Sequence, residues 1–424
     1  MLLGEPIAYF KAILSHFPNS YLAEDGGQII VGIDCEYLQG DDLDKLKFAL
    51  QNTTQICEFA GLFGVLSYEA VYKFERLGDI KPKLYEFPTY FYANARAYLH
   101  YDKQSKIYSF YGKGEYFKNL ENSPNLRENL APKKQNLYKI KTDLNAEKKD
   151  AERIFDKAKE YIKSGDIFQV VPSQTLNLYS NLDPLEFYEI LKRQNPSHYM
   201  YFFPTPYGVI AGSSPELVLQ IRNNEIFVAP IAGTRPRGKD ANEDEVLKND
   251  LLSDEKELSE HKMLVDLARN DIGKFAKKGS VKVRNLAHVQ FFESVMHIVS
   301  DVRGIKDDSK DNFDVLGVVF PAGTLSGSPK IRAMQIINEL ESHARGIYGG
   351  GIGFWHYNGD LQMAILIRTA IFIADKANPE FSDVFVGAGY GQVFDSIFEN
   401  EYAEICNKRK SCVKIFEQIC KEMQ

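Results

Sequence analysis

The 424-residue chain has little cysteine and a single tryptophan. Its five cysteines are Cys35, Cys57, Cys406, Cys412 and Cys420. An odd number at spacings that match no zinc pattern points to reduced thiols in a cytoplasm rather than a disulfide frame. No run of about 18 apolar residues occurs, so no membrane span is expected. The start, Met1-Leu2-Leu3-Gly4-Glu5, has no basic stretch leading into an apolar one, and no secretory signal is read there. Positive charge is in deficit. Lys and Arg number 51 against 58 Asp and Glu, a net charge of −7, which lacks the basic footprint of a nucleic-acid binder. Neither GxGxxG nor GxxxxGK[ST] is present, so nothing suggests a nucleotide. There is no repeat at a period of roughly 20–50 residues and no low-complexity tract.

What is present is ordinary globular composition, 44% hydrophobic and 26% charged. The length calls for two domains or one large composite core. Up to about residue 118, short apolar alternations read as strands, for example Tyr90–Leu99 and Ile107–Tyr111, both rich in aromatics. The polar segment from Lys118 to Asn145 reads as a linker. Residues 1–120 thus form an N-terminal domain, 121–145 the linker and 146–424 a larger domain. Asn145 can cap a helix whose apolar face is Ile154, Phe155, Ala158, Tyr161 and Ile162. A strand is expected at Ile167–Val171 and a helix at Leu185–Arg193. Asn223-Asn224 between two apolar alternations is a hairpin signal. A helical stretch spans Glu243–Lys277, another helix lies near Lys330–Leu340, and a last helix starts at about Asn400. Hairpins with helices grouped between them predict an α+β fold with antiparallel sheets.

Four constellations carry candidate chemistry. Glu257 and Glu260 are three apart on a helix and share a face, where they can hold a divalent cation or supply an acid. The plainer reading is a capped helix start, with Asp254 and Glu257 as a capping pair. Glu401 and Glu404 repeat the spacing, and there the plain reading is a solvated face with Glu404 paired to Lys408. Glycine-rich stretches at Pro230–Gly238, Phe320–Lys330 and Val386–Gly391 suit close backbone approach to a small polyanion, or are simply turns. His297 and Arg368 each sit in an apolar strand. The histidine is either a core residue or a proton carrier, and the arginine needs a carboxylate partner from the protein or from a ligand.

These stretches, in this order, resemble the chorismate-binding enzyme family, and within it the large subunits of anthranilate synthase. Pro230–Gly238, Asp254–Asp271, Val295–Gly304, Phe320–Met334, Arg345–Gly353, Ile367–Thr369 and Gly389–Lys408 carry the resemblance. It implies a two-lobed α+β fold with the active site in the cleft between the lobes. By motif position, Glu260 and Glu404 match Mg²⁺ ligands, Glu257 a general acid, His297 a catalytic histidine and Lys408 a site lysine. Gly233, Thr234, Thr324, Tyr348, Arg368, Gly389, Tyr390 and Gly391 match substrate contacts. Lysine at position 232 is associated with members that use a water nucleophile, or with aminodeoxychorismate synthases that attack with it. Alanine, as here, is typical of anthranilate synthases. Aminodeoxychorismate synthase is the runner-up, and a catalytically silent regulatory subunit is a third reading.

None of the five cysteines lies on a glycine-flanked turn of the kind a glutaminase nucleophile needs. The resemblance therefore implies ammonia from a separate glutamine amidotransferase subunit, in a hetero-oligomer. It also implies inhibition by L-tryptophan, with Glu24, Asp25, His198, Tyr199 and Met200 as the pocket. A charged His198 would repel the ligand's ammonium, so inhibition is expected to be weaker at pH 6 than at pH 8. Gly389-Tyr390-Gly391-Gln392 departs from the family's Gly-Ala-Gly followed by two aliphatics, and His198 stands where anthranilate synthases usually have proline.

Overall fold

The computed structural model describes residues 5–51, 55–118, 120, 135–291 and 295–423. The first four residues, on which part of the signal-peptide reading rests, and residues 121–134 of the expected linker lie outside these. Helix α1 (Pro6–His16) precedes strands β1 (Tyr21–Glu24) and β2 (Gln28–Gly40). Helix α2 (Leu43–Gln51) precedes β3 (Gly61–Leu66), β4 (Tyr90–Asp102) and β5 (Ile107–Tyr111). Then come β6 (Leu137–Ile140), α3 (Leu144–Lys163), β7 (Gln169–Val170), β8 (Ser173–Ser180), α4 (Pro184–Gln194), β9 (Tyr199–Thr205), β10 (Gly208–Ser214), β11 (Leu217–Arg222) and β12 (Glu225–Val228). β13 (Ile231–Pro236) leads into α5 (Ala241–Ser253), α6 (Glu255–Gly273), β14 (Lys282–Phe291), β15 (Val295–Ile305), α7 (Asn312–Val319), β16 (Gly327–Ser328) and α8 (Lys330–Leu340). β17 (Gly351–His356), β18 (Leu361–Ile365), β19 (Thr369–Ala374), β20 (Ser382–Gly389), α9 (Phe398–Ile419) and β21 (Lys421–Glu422) follow.

The fold is α+β, and its strands pair antiparallel as expected. Each strand in the series β6, β8, β20, β19, β10, β9, β1, β2 and β4 is hydrogen-bonded to the next. From β4 the series continues through β3, β17, β18, β11, β12 and β15. Among the described pairs only β6 with β21 is parallel. Strands from before residue 120 are interleaved with later ones: β1 joins β9, and β3 joins β17. The series curls back on itself. Tyr21 of β1 stacks on Phe63 of β3 at 4.3 Å, and Phe203 of β9 and Phe354 of β17 meet it edge-on at 6.1 Å. Aromatics at these packed positions add to burial through offset and edge contacts. Among the described residues no helix is long and apolar enough to cross a membrane.

Local chemistry explains where the elements begin and end. Asn223 and Asn224 both adopt positive φ (50° and 64°), the geometry of a tight two-residue hairpin between β11 and β12. Helix α8 covers the span read from the sequence. The cap of α3 is Asp143, whose carboxylate accepts from the N–H groups of Asn145 and Ala146, so Asn145 is inside the helix rather than its cap. The helical stretch after β13 is two helices. Asp254 ends α5 in an extended conformation and caps α6 through Lys256 and Glu257 N–H. The strand expected at Ile167–Val171 shortens to the two residues of β7, because Pro172 has no N–H to continue a ladder. β6 lies within the expected linker; four residues pairing with β8 are too few to show a period.

One buried ion pair ties these elements together. Arg345 donates to Glu341, at the end of α8, through Nε (3.0 Å) and Nη2 (2.6 Å). Its other N–H groups reach the carbonyls of Val171 (2.7 Å) and Leu325 (2.8 Å). Glu341 in turn accepts from the N–H and hydroxyl of Ser173. Removing one charge leaves the other buried and unpaired, which costs on the order of 3–5 kcal/mol. Arg345→Met should therefore lower the urea unfolding free energy by about that much, and Glu341→Met/Arg345→Met should recover part of it. A single variant as stable as the parent would refute this role for the pair.

Candidate active site

A cavity of about 520 Å³ opens where β13, β15, the first turns of α6 and the end of β20 meet α9. Of the residues expected at the site, Gly233, Thr234, Glu257, Glu260, His297, Thr324, Tyr348, Arg368, Gly389, Gly391, Glu404 and Lys408 all line it. Residues as far apart in the sequence as Gly233 and Lys408 are thus brought to one place. Tyr390 is the exception. Its ring is 1% exposed and packs toward Phe155, while its N–H is taken by the Pro172 carbonyl, so it turns away from the cavity.

The local folding places each group. Gly233 has φ +67°, and a Cβ there would stand 3.2 Å from Glu257 Oε2, so the bulge in β13 brings backbone against the acid. Its carbonyl lies 2.9 Å from His297 Nδ1. A carbonyl can only accept, so Nδ1 carries the proton of the neutral ring and Nε2 is the basic nitrogen. Burial lowers the pKa of His297, opposed by this hydrogen bond and reinforced by Arg368, so the ring is neutral near pH 7.

Arg368 lies between β18 and β19 with φ +51°. Its guanidinium donates to the Lys408 carbonyl at 3.1 Å. No carboxylate among the described residues is within ion-pair distance of it. Lys408 Nζ donates to the Gly389 carbonyl (2.7 Å) and to Glu404 (2.6 Å). The plain reading of Glu404 and Lys408 as a helical ion pair is correct, and both line the cavity as well.

Four carboxylates, Glu257, Glu260, Glu401 and Glu404, face the cavity from α6 and α9, against the cations Lys256, Arg368 and Lys408. Burial is the main cause that raises the pKa values of Glu257, Glu260 and Glu401, and neighbouring carboxylates add to each. The described residues hold no ready cage of three or more such side chains around one point. An all-oxygen donor set of this kind, with one or two carboxylates per ion, suits a hard divalent cation that keeps waters or ligand oxygens.

Two lining residues were not legible as site residues. Glu216, on the turn between β10 and β11, accepts from the Thr324 hydroxyl at 2.5 Å. Burial pushes its pKa up to about 7, against the lowering effects of Thr324, Lys408 and Arg368. Its one signal in the sequence is a lone acid directly before the apolar run Leu217-Val218-Leu219. Gln169 donates to Glu260 at 2.7 Å. Its signal is a lone amide within Ile167–Val171.

A second pocket, about 40 Å³, is lined by Glu24, Asp25, Tyr199 and Met200 with Phe63, Phe354 and His356. The expected regulatory residues therefore do gather, but three features differ from expectation. The Glu24 carboxylate is already held by Lys192 (2.6 Å), Lys103 (3.2 Å) and the Tyr188 hydroxyl (2.6 Å). Asp25 accepts from Gly27, Gln28 N–H and the Gln28 side chain. His198 is not a lining residue, and burial lowers its pKa, which disfavours the charged form on which the expected pH dependence rests. The pocket is also small against the roughly 150 Å³ that accommodates a benzene ring.

A sequence profile of chorismate binding enzymes matches residues 10–414. The chain is 41% identical to anthranilate synthase component 1 of Aquifex aeolicus over 86% of its own length and 76% of that protein. It is 48% identical to the Acetivibrio thermocellus protein of the same name, over 65% of this chain and about half (54%) of that one. Anthranilate synthase component I from Streptococcus pneumoniae TIGR4 superposes with a TM-score of 0.74 at 30% identity, covering 97% of this chain and 94% of that one. A menaquinone-specific isochorismate synthase from Escherichia coli, 16% identical with a TM-score of 0.73, shares the fold.

The raised Glu216 pKa has a consequence for stability. A carboxyl raised from 4.5 to about 7 in the folded state favours folding fully below pH 4.5, and that contribution is lost as the pH rises through 7. Glu216→Gln has no charge to bury. Its unfolding free energy relative to the parent should therefore rise between pH 5 and pH 8, by on the order of 1–3 kcal/mol. Urea melts at the two pH values test this, and an identical offset at both would remove the claim.

Proposed function

We infer that this chain, which belongs to the chorismate-binding enzyme family, acts as an anthranilate synthase large subunit. It takes chorismate and ammonia to anthranilate, pyruvate and water. The relatives at 41–48% identity support the assignment. The observation that carries the chemistry is Arg368, a half-buried guanidinium with no ion-paired carboxylate among the described residues, facing an acidic cluster across one cavity. A dicarboxylate substrate supplies what each side needs. One carboxylate meets Arg368, and the acidic side requires a cation between itself and the other.

Glu260 and Glu404 are the residues that would hold Mg²⁺, which when bound supplies positive charge to the ring carboxylate. Glu216 and Glu257 are the two candidate proton donors, and the Glu216 carboxyl, near 7, is the better matched to neutral pH. The donor protonates the C4 hydroxyl, which leaves as water. Ammonia meanwhile bonds to C2, the two ring double bonds shift, and the new ammonium releases its extra proton to the carboxylate left on the donor. His297 Nε2 then takes the C2 proton. The C3–O bond breaks, the ring becomes aromatic, and the released enolpyruvate is protonated to pyruvate. Ala232 brings no amine into the cavity, which favours an external nucleophile over aminodeoxychorismate chemistry.

Burial raises the pKa values of Cys35, Cys57, Cys412 and Cys420, which keeps these thiols unreactive. Ammonia then comes from solution or from a separate glutamine amidotransferase subunit in a hetero-oligomer, and the component 1 names of the relatives favour the subunit. All five cysteines are free thiols, which supports a cytoplasmic location. Tryptophan inhibition through the second pocket requires widening it and drawing Glu24 away from Lys103 and Lys192.

Purified chain given chorismate, Mg²⁺ and an ammonium salt should form fluorescent anthranilate and pyruvate in equal amounts, and should not use glutamine. Accumulation of aminodeoxychorismate instead would overturn the assignment. His297→Ala should slow pyruvate release by about 10²–10⁴-fold and let the 2-amino intermediate build up. Parent-like anthranilate formation by that variant would make His297 a packing residue only.

A further inference from the structure

Gln169 is held in place from two sides. β7 pairs with β16, and Val170 exchanges backbone hydrogen bonds with Gln392 at 3.1 and 2.8 Å. The Gln169 side chain is only 3% exposed, and that part faces the cavity. Its Nε2 donates to Glu260 Oε1 at 2.7 Å, while its own Oε1 is buried with no partner among the described residues. The amide therefore has one orientation. Reversing it would set a carbonyl oxygen against a carboxylate oxygen and leave the amide N–H groups unmatched. Gly391 keeps this arrangement open, since a Cβ there would stand 2.8 Å from Gln169 Nε2 and 3.5 Å from Glu260 Oε1.

We propose that Gln169 is a positioning residue for Glu260, occupying one carboxylate oxygen so that the other is presented to the cation. This rests on the reading of Glu260 as a Mg²⁺ ligand. A glutamate on a helix has three rotatable bonds. A single charge-assisted hydrogen bond from a side chain anchored in a separate strand removes most of that freedom before the cation arrives. Hydrogen bonds to metal ligands of this kind typically change metal affinity by about 10–100-fold when removed. The backbone anchoring of β7 and the missing Cβ at position 391 are then parts of one device. Two elements distant in sequence fix the direction of a carboxylate carried by a third.

The test is Mn²⁺ binding by electron paramagnetic resonance, with Mn²⁺ as the spectroscopic stand-in for Mg²⁺, on the full chain with and without chorismate. Gln169→Met keeps length and volume but cannot donate. Its Mn²⁺ Kd should rise about 10–100-fold, and its Mg²⁺ activation constant should rise in parallel. Its urea midpoint should stay near the parent's. Gly391→Ala, which displaces the amide while keeping both partners, should give the same loss of affinity. It decides the matter if Gln169→Met does not fold. Unchanged Mn²⁺ affinity in the folded variants overturns the proposal. If Glu260→Gln loses Mn²⁺ while Gln169→Met does not, only the positioning role fails. If the parent itself binds no Mn²⁺, the ligand reading of Glu260 fails and the inference falls with it.

Discussion

The contact between Arg345 and Glu341 is the constraint on which the arrangement of the site depends. Both residues are buried, and a buried ion pair is stable only when its remaining donors and acceptors are also matched. Here they are matched by backbone of the site itself. The Val171 and Leu325 carbonyls that accept from Arg345 belong to cavity-lining residues, and Ser173, held by Glu341, opens the strand β8 that pairs with β20. The guanidinium also lies over the Tyr68 ring at 4.6 Å, which joins the segment before residue 120 to the same point. The fork of an arginine meets these acceptors in fixed directions, which a lysine ammonium could not reproduce. The pair therefore sets the spacing between α8, β7, β8 and the turn before β16, and hence the cavity wall.

Helices α6 and α9 each bring two glutamates three residues apart and one lysine, Lys256 or Lys408, to the cavity, while Glu216 and Arg368 arrive from segments between strands. An extended strand alternates its side chains between faces. The left-handed backbone at Arg368 breaks that alternation. A non-glycine residue there costs on the order of 1–3 kcal/mol. The conformation is held because the Arg368 carbonyl accepts from Ser213 N–H and Thr369 enters β19 directly after it. Strain at this residue directs the guanidinium into the cavity.

Legibility followed the range of the interactions involved. The Asn223-Asn224 hairpin, helix α8 and the glutamate pairs were readable because their determinants lie within a few residues. Asp143 took the cap from Asn145, and Asp254 split one helical stretch into two, since either residue could offer an oxygen and only the local backbone path decides which does. Gln169 and Glu216 left almost no trace. Each is a single polar residue in an apolar stretch, and its role comes from a partner 91 or 108 residues away. Tyr390 was misplaced for the opposite reason: a glycine-flanked position in a lining loop says nothing about which way the ring turns. Glu24 lines the second pocket with Tyr199 and Met200, but the two lysines that neutralise it come from distant elements.

The same electrostatics bear on how the nitrogen reaches the ring under the proposed function. Four carboxylates in one cavity attract cations, and ammonium is a cation without a lone pair to offer. Ammonium drawn from solution would be held among Glu257, Glu260, Glu401 and Glu404 as a competitor for the metal ligands. It would not be available as a nucleophile. A carboxylate would have to take its proton first, and the acids whose pKa values are raised by burial are also those needed to protonate the leaving hydroxyl. Under the proposed function the cavity would use neutral ammonia, so an ammonium salt would serve through its small neutral fraction and only at high concentration. Delivery in the unprotonated form, by a subunit that generates it close by, removes the conflict between the acid the first step requires and the base that ammonium would require.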